Sequence, residues 1–558
     1  MSLADTTENL PLAAASDSLL DDYDFARKYP EQDTSPTSKQ EIFGWCCYSW
    51  SSEPFIVSAV GTFVPLLLEQ FARLAGFRLD DNTKPCVSAP ETDNPIPPGL
   101  APPGLIPPGS DKCVLPLFGH FIIDTSSLAL YTFSASIFLQ ALIVISMSGM
   151  ADRSHFRKSI LVVFGILGAL TTMAFLGVSY KHYIVASLLA MLANCCFGAV
   201  NVCGNAFLAI LVSNYPQNSV KVGRDGEFIT EANISDTKNQ LSSQISGTGA
   251  ACGYTAALVA QLIAILIVKK FSNPVLGSST FAIQAAIFFI GCWWLVFQIP
   301  VILLMRLRPG PPLHLDETEL SHKSSFGSSL YRLSQYTKYG WVTLAQTAMH
   351  AQKLRQIMMF LLAWFFVSDS LTTINSTAIL FARSNLQMDT TQLGIVGLLT
   401  VMFAILGSLV VPNLIRRCGL LAKSALCGAV ALACFIPLYG IVGFFTTSFG
   451  LHHAPEMFML AMIYGIVLGS VATLTRSIFS TLIPVGLEST FFSLFAVTDK
   501  GSSVIGPIIS GLIVDSTHEL RYCFVWLLFG LLAGLAILWW GVDLEQGVRD
   551  GEAFTEEA

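Results

Sequence analysis

Hydrophobic residues along the chain form long continuous runs that short polar segments separate, and apolar and polar positions do not alternate. A helix needs about 20 apolar residues to cross a bilayer, whereas the strands of a barrel would alternate. The pattern therefore predicts membrane-spanning helices in twelve runs, at about 43–70, 125–148, 159–179, 183–212, 246–268, 281–305, 356–382, 392–415, 420–444, 456–475, 489–515 and 521–541. The run at 489–515 is the weakest because it contains Asp499, Lys500 and Pro507.

Composition places these helices in a membrane. Hydrophobic residues make up 53% of the 558 residues and charged residues only 12%, against about 25% charged residues in soluble proteins. One soluble core cannot bury this much apolar surface, so part of it must face lipid. The net charge of −7 argues against nucleic acid as a partner. We expect an all-α polytopic membrane protein with about twelve transmembrane helices in two six-helix bundles.

Polar stretches divide the twelve runs into two groups of six. The expected organisation is a cytosolic acidic tail at 1–42, an N-terminal bundle at 43–305 with a lumenal Pro/Gly-rich loop at 71–122, a cytosolic central loop at 306–355, a C-terminal bundle at 356–541 and a cytosolic tail at 542–558. Aromatic and aliphatic residues recur at helical spacing in 329–350. The central loop is therefore expected to contain an amphipathic helix on the membrane surface.

Lys and Arg residues set the expected orientation, because they accumulate in cytosolic loops. With a cytosolic N-terminus, 21 of the 31 Lys and Arg residues lie in cytosolic segments and 9 lie on the other side. Arg476 counts among the cytosolic residues in this assignment. This distribution and the even number of spans both predict that the two termini are cytosolic.

Four charged residues fall inside the predicted spans: Glu53, Asp369, Asp499 and Lys500. A charge at this depth costs at least about 2.5–3.5 kcal/mol. At a rise of about 1.5 Å per residue the three acids lie near the midplane, where transporters hold substrates and coupling ions. Glu53 and Asp369 occupy helices of equal rank in the two halves, so we expect them to face each other and to handle substrate or protons. Structural pairing is the alternative, above all for Asp499 and Lys500, although adjacent residues point apart on a helix.

Polar amides and a glycine-rich stretch supplement these charges. Asn194, Asn201 and Asn205 share one helical face, which lines a cavity or ties helices together. Asn201, Asn205 and Asn375 are further candidates for substrate contacts. The glycines of 246–254 predict a close-packing surface.

Cys86 and Cys113 are the two cysteines that the predicted topology places outside the cytosol and the membrane. They form a disulfide if that compartment is oxidising, and free thiols in an unstructured loop are the alternative. The remaining cysteines lie in or beside helices and are expected to be small packing residues.

The loop "GMADRSHFRKS" at 149–159 resembles the signature between the second and third helices of major facilitator transporters. The matching residues, which the resemblance implies form a conformational gate, are Asp152, Arg153, Arg157 and Lys158. This copy departs from the general pattern, because His155 and Phe156 stand where that pattern has a single glycine.

Four longer stretches resemble the autophagy-related protein 22 family, the fungal vacuolar amino-acid effluxers of the major facilitator superfamily. They are 44–73, 204–212, 360–374 and "RSIFSTLIPVGLESTFFSLFAVTDKGSSVIGP" at 476–507. Ser370 replaces the glycine of a related "SDG" pattern. The resemblance implies a protein of the vacuole membrane that exports neutral, leucine-like amino acids to the cytosol and recycles the products of autophagic degradation.

Alternating access about a midplane site is the expected mechanism, with the amino acid, the lipid bilayer and, in one version, protons as partners. Two alternatives are a facilitator for another small solute, such as a sugar or a peptide, and a non-transporting membrane sensor or scaffold. No Ser-His-Asp, metal-ligand or nucleotide-binding pattern is found, so neither an enzyme nor a cofactor or metal site is expected. Protein partners, oligomeric state and targeting signals are not readable from the sequence.

Overall fold

The structure is a computed structural model, and it describes most of the helical part of the chain. The described residues are 32–78, 86, 113–117, 121–125, 127–153, 155–215, 231–271, 279–312, 331, 334–343, 345, 354–386, 388, 390–446, 448–484, 487–503, 505–517 and 519–557. Most of the predicted acidic tail, of the 71–122 loop and of the central loop lies outside these residues.

In its described part, the N-terminal half contains seven α-helices, a π-helical segment and a small sheet. They are α1 (Lys39–Pro54), a π-helical segment (Phe55–Phe63), α2 (Val64–Ala75), β1 (Phe77–Arg78), β2 (Cys113–Leu117), β3 (Phe121–Asp124), α3 (Ser127–Ala151), α4 (Phe156–Ala174), α5 (Tyr183–Ser213), α6 (Glu231–Phe271) and α7 (Ser279–Leu304). The π-helical segment joins α1 and α2 into one continuous first crossing. A further helix, α8 (334–343), belongs to the central loop.

The C-terminal half repeats this plan without a sheet in its described part. Its elements are α9 (Arg355–Ser384), α10 (Thr390–Cys418), α11 (Ala422–Val442), α12 (Ala454–Leu482), α13 (Glu488–Ser502), α14 (Ile505–Thr517), α15 (Cys523–Ala536), a second π-helical segment (Ile537–Gly541) and α16 (Leu544–Glu557). The first helix of this half, α9, packs on α15, and α10 packs on α12.

Eleven helices in the described ranges are long and apolar enough to cross a membrane. The remaining crossing, the eleventh in chain order, is the weakest predicted run, and it is made of two shorter helices, α13 and α14. The first ends at Ser502 and the second begins at Ile505, so neither half reaches the length of a spanning helix on its own. The prediction of an all-α polytopic protein with about twelve transmembrane helices in two bundles is confirmed.

Side-chain caps fix where two of the helices begin. Ser38 caps α1, because its hydroxyl accepts a hydrogen bond of 3.2 Å from the amide of Glu41. A capping box formed by His453 and Glu456 opens α12. Such caps satisfy amides that have no partner inside the helix, and in a membrane protein these amides must be satisfied within the protein.

The three strands form an antiparallel sheet in the order β1-β2-β3. Phe77 pairs with Val114, which pairs in turn with Asp124. The sheet therefore ties the end of α2 to the start of α3. The predicted Pro/Gly-rich loop contributes strands at its two ends, which its composition did not indicate.

The predicted amphipathic helix exists as α8, and it packs against protein. The Tyr336 ring lies 5.2 Å from the Phe156 ring at the start of α4. The indole of Trp341 donates a hydrogen bond of 3.0 Å to the Ser146 hydroxyl of α3. The helix is thus attached to the ends of α3 and α4.

Small residues let several helices approach backbone to backbone. A side chain at Gly469 of α12 would collide with the carbonyl of Ala404 in α10, and one at Gly465 would collide with the carbonyl of Thr400. Small residues serve this purpose in membrane interiors, where packing replaces the hydrophobic effect as the force between helices.

A buried ion pair joins the start of α1 to the chain that leaves α7. Arg308 Nη2 lies 2.8 Å from Glu41 Oε2, and both side chains are only 1% exposed. Arg308 also donates to the backbone carbonyl of Ser35 at 2.6 Å. The pair holds the N-terminal segment against the end of the sixth crossing.

Replacing Glu41 by Gln keeps the side-chain shape but leaves the buried Arg308 charge with only the more distant and partly exposed Asp33, at 3.8 Å, as an acidic partner. Loss of one partner of a buried pair costs about 3–5 kcal/mol, so we expect a clear drop in the melting temperature of the purified protein. Glu69→Gln is the matched control, because the Glu69–Arg73 pair is about one third exposed and such pairs contribute about 0–1 kcal/mol. Equal melting temperatures for the two variants would contradict this role of the buried pair.

Candidate functional site

Glu53 lies where the first crossing changes its helical form. The next residue, Pro54, has no N–H, and its ring crowds the carbonyl four residues earlier. That carbonyl, of Trp50, accepts a hydrogen bond of 3.0 Å from the indole of Trp293 in α7. The segment Phe55–Phe63 then continues as a π-helix, a form often found at functional sites. Glu53 is half-buried at this junction.

The glycine-rich stretch of α6 lies against the same part of α1. A side chain at Gly249 would collide with the Trp45 ring, and one at Gly253 would press on the carbons of Glu53. The close-packing surface predicted for 246–254 is therefore present. It brings the α6 backbone next to the Glu53 side chain.

The three asparagines predicted to share one helical face have two different roles. Tyr48 of α1 donates a hydrogen bond of 2.8 Å to Asn205 Oδ1. Asn205 in turn donates one of 2.6 Å to Asn201 Oδ1. Asn194 instead donates to Gln140 of α3 at 3.1 Å and so ties two helices together. Asn201 and Asn205 thus orient the Tyr48 hydroxyl one helical turn before Glu53.

Arg476 is the functional candidate that sequence reasoning missed. The predicted tenth span stops at 475, and Arg476 was assigned to the cytosol, whereas α12 continues to Leu482. Its guanidinium Nη1 reaches across to the Tyr48 hydroxyl at 3.5 Å, near the outer limit of a hydrogen bond. Tyr48 and Glu53 lie five residues apart on α1, so Arg476 approaches the part of that helix that carries Glu53. We call Glu53, Tyr48, Asn205 and Arg476 the central site.

Asp499 and Lys500 are compensated within the C-terminal bundle. Asp499 Oδ1 accepts a hydrogen bond of 2.6 Å from the Ser368 hydroxyl of α9, and its other oxygen lies 3.3 Å from the Lys500 ammonium. The two residues point apart on the helix, but the long Lys500 side chain brings its charge back to its neighbour. Lys500 remains partly exposed, with 41% of its side chain accessible.

Asp369 caps a half-helix. Its Oδ1 accepts a hydrogen bond of 2.8 Å from the amide of Gly506, in the first turn of α14. A side chain at Gly506 would collide with Thr373 and with the carboxylate, so glycine is needed there. These contacts lie within the C-terminal bundle, and the structure does not bring Asp369 into contact with Glu53. Asn375, further along α9, is exposed.

A fully buried carboxylate joins the two bundles at the face where α1 begins. Asp152 Oδ1 accepts from the Ser489 amide at 2.6 Å and from Arg157 at 3.0 Å. Its Oδ2 accepts from the amide and the hydroxyl of Thr490, both at 2.7 Å. Arg157 also pairs with Glu488 at 2.8 Å. We call these five residues the gate cluster.

The gate cluster uses the start of a helix as its binding partner. The first amides of α13 have no acceptor inside the helix, and the helix dipole favours negative charge at this end. The other two predicted gate residues do not cross between the bundles. Arg153 contacts the ring and hydroxyl of Tyr339 in α8, and Lys158 donates to the carbonyls of Ile302 and Met305 at 2.8 and 2.6 Å.

The principal contacts between the bundles indicate which face is closed. The half of the eleventh crossing nearer the α1 face, α13, packs on α3 and α5 of the N-terminal bundle. The other half, α14, packs on α9 and α15 of its own bundle. Helices α10 and α12 meet α6 along the same interface. The structure therefore shows the bundles joined at the α1 face.

Cys86 is disulfide-bonded, and eleven cysteines elsewhere in the described chain are free. The side chain of Cys113 lies outside the described part, so its pairing with Cys86 stays a prediction. No group of three or more His, Cys, Asp or Glu side chains that could hold a metal ion is found among the described residues.

Comparisons with known proteins agree with this architecture. The family described as "Vacuole effluxer Atg22 like" matches residues 37–552. The chain is 47% identical to autophagy-related protein 22 of Pichia angusta, over 95% of this chain and 96% of that protein. It is 41% identical to autophagy-related protein 22 of Saccharomyces cerevisiae strain S288c, over 93% of this chain and 94% of that protein.

Solved structures share the fold at low sequence identity. The major facilitator transporter FucP in its outward conformation superposes with a TM-score of 0.55 and 13% identity, over 90% of this chain and 98% of that one. The human organic anion transporter MFSD10 gives a TM-score of 0.53 and 12% identity, over 90% and 99%. This likeness establishes the major facilitator fold.

Asp152→Asn removes the charge that holds the start of α13, so we expect the α1 face to open more often. A hydrogen bond to a charged group contributes about 1.5–3 kcal/mol, which predicts a shift of about tenfold or more toward the open state. Spin labels at His155→Cys and at the exposed Cys418 would report the change as longer distances between the bundles. Glu545→Gln, an exposed acid near the C-terminus, is the control. An unchanged distance distribution in Asp152→Asn would contradict the gate.

Proposed function

Because the chain belongs to the vacuole effluxer Atg22-like family, we propose that it exports neutral, leucine-like amino acids from the vacuole lumen to the cytosol. The family and the major facilitator fold make it a multi-pass membrane transporter. The finer proposal rests on the central site, where an arginine of the C-terminal bundle reaches the Tyr48 hydroxyl of the helix that carries Glu53. Recycling the products of autophagic degradation is its proposed role.

Alternating access is the proposed mechanism. The gate cluster closes the α1 face, and its loss in one step of the cycle would open that face while the bundles approach each other on the other side. We assign the α1 face and both termini to the cytosol, following the distribution of Lys and Arg. The state described here is then the one that receives substrate from the lumen.

Charge balance supports a substrate without net charge. The central site contains one carboxylate, Glu53, and one uncompensated cation, Arg476, whereas Lys500 is paired with Asp499. A strongly anionic or cationic solute would leave one of these buried charges opposed by a like charge, which is costly at this depth. A sugar would need neither charge.

A co-transported proton would bind a group other than Glu53 while the amino acid is bound, because a protonated Glu53 is neutral and could not hold the substrate ammonium. In the proposed symport, protons flow down their gradient from an acidic lumen together with the amino acid. Efflux from proteoliposomes that is independent of an imposed pH gradient would leave amino-acid export standing and remove the proton from it.

Proteoliposomes loaded with labelled leucine test the function. We expect the wild-type chain to release leucine faster than protein-free vesicles, and Glu53→Gln to lower the rate about tenfold or more, because a charge in the site is lost. Asp369→Asn keeps an oxygen that can accept from Gly506 and is expected to retain most of the activity. Glu69→Gln, an exposed acid in the same crossing, is the matched control.

Two results would contradict the proposal. One is the absence of leucine efflux from wild-type proteoliposomes at a protein density that gives a monodisperse, folded sample. The other is normal vacuolar leucine after nitrogen starvation in cells that lack the protein, where retention of leucine is expected. Full activity of Glu53→Gln would remove Glu53 from the mechanism and leave the transported solute unchanged.

A further inference from the structure

From the central site we infer that the substrate binds as a zwitterion that bridges the two bundles, with its carboxylate on Arg476 and its ammonium on Glu53. The inference rests on the proposed function, because it specifies how a neutral amino acid is recognised. It differs from the expectation drawn from sequence, which had Glu53 and Asp369 face each other and handle substrate or protons together.

The other charged residues inside the spans already have partners, which leaves Glu53 and Arg476 to bind the substrate. Asp369 is occupied by the amide of Gly506, and Asp499 is occupied by Ser368 and Lys500. Lys500 is thereby paired as well. Glu53 and Arg476 are the charged members of the central site, and neither has an ion pair in the described part of the chain.

Arg476 has unused donors that suit a carboxylate. A guanidinium carries five N–H groups in a planar fork that binds a carboxylate through two parallel hydrogen bonds. The one hydrogen bond found for Arg476 is the long contact of 3.5 Å to Tyr48. The Tyr48 hydroxyl is itself held by Asn205, which in turn donates to Asn201.

Glu53 has the complementary capacity. Its carboxylate is placed at the junction with Pro54 and the π-helical segment, and Gly253 leaves room beside it. Glu53 follows Tyr48 by five residues on α1, and Arg476 reaches the Tyr48 hydroxyl at 3.5 Å, yet no ion pair between Glu53 and Arg476 is found among the described residues. A small molecule with opposite charges at its two ends would supply the ionic partner that each of them lacks.

The bridge would also couple binding to movement. Glu53 and Tyr48 belong to the N-terminal bundle, whereas Arg476 belongs to the C-terminal bundle. A zwitterion held by both would draw the bundles together around itself, and an analogue lacking one charge would bind to one bundle only. Substrate recognition and closure would then depend on the same two ionic contacts.

Competition binding with purified full-length protein tests this assignment. The probes are leucine, leucinamide, which lacks the carboxylate charge, and 4-methylpentanoate, which lacks the ammonium group. Loss of one partner of a buried charge pair weakens binding by about 30-fold or more. In the wild type we therefore expect both analogues to compete at least about 30-fold more weakly than leucine.

The wild type has two preferences, first for leucine over leucinamide and second for leucine over 4-methylpentanoate, and each variant should lose one and keep the other. Arg476→Gln is expected to bind leucine and leucinamide within about threefold of each other and still to discriminate against 4-methylpentanoate. Glu53→Gln is expected to lose that second preference and to keep the first. Lys500→Gln is the matched control, because it removes a nearby cation that is already paired, and both preferences should persist. Arg476→Lys keeps the charge but not the planar fork of N–H groups, so we expect it to lose part of the preference for leucine over leucinamide. This variant replaces Arg476→Gln in the test if Arg476→Gln does not fold.

The outcomes separate this inference from the function on which it rests. If the wild type binds leucine but Arg476→Gln and Arg476→Lys keep the full preference over leucinamide, the bridging site is wrong and amino-acid transport stands. If Lys500→Gln loses that preference instead, Lys500 holds the carboxylate and the assignment is overturned. A folded wild type that binds no leucine overturns the proposed function and this inference together.

Discussion

A charge that is removed from water needs a fixed partner, and this constraint organises the membrane part of the protein. Asp152 finds its partner in the first amides of α13, and Asp369 finds one in the first turn of α14. Asp499 is held by Ser368 and Lys500. Once these acids are compensated, Glu53 and Arg476 remain at the interface of the bundles, and a substrate can supply the charges that they lack.

The broken eleventh crossing provides two of these partners. A continuous helix would offer free amides only at one end, whereas the separate start of α14 at Ile505 provides a second set inside the protein. The two starts are used differently. Asp369 holds α14 from within its own bundle, and Asp152 holds α13 from the opposite bundle. Only the second attachment has to break when the α1 face opens, which suits it to gating.

The sequence was sufficient for the fold, because each crossing contains an apolar run that lipid and neighbouring helices require. It was insufficient for the partners of the buried acids. The amides that bind Asp152 and Asp369 lie 337 and 137 residues away along the chain. Every residue except proline has a backbone N–H, so the residue type does not show which amide binds an acid. Arg476 was missed because hydropathy marks where an apolar run stops, whereas α12 continues for about two more turns, to Leu482, and Arg476 of this extension contacts Tyr48 of the other bundle. Glu53 was found because a lone acid within an apolar run is visible without a structure.

A structure of the full chain with leucine bound is the most direct test of the zwitterion bridge. The expected density places the leucine carboxylate within about 3 Å of the Arg476 guanidinium and its ammonium within about 3 Å of the Glu53 carboxylate. Leucine bound with its ammonium on Asp369, or within one bundle and apart from Arg476, would contradict it.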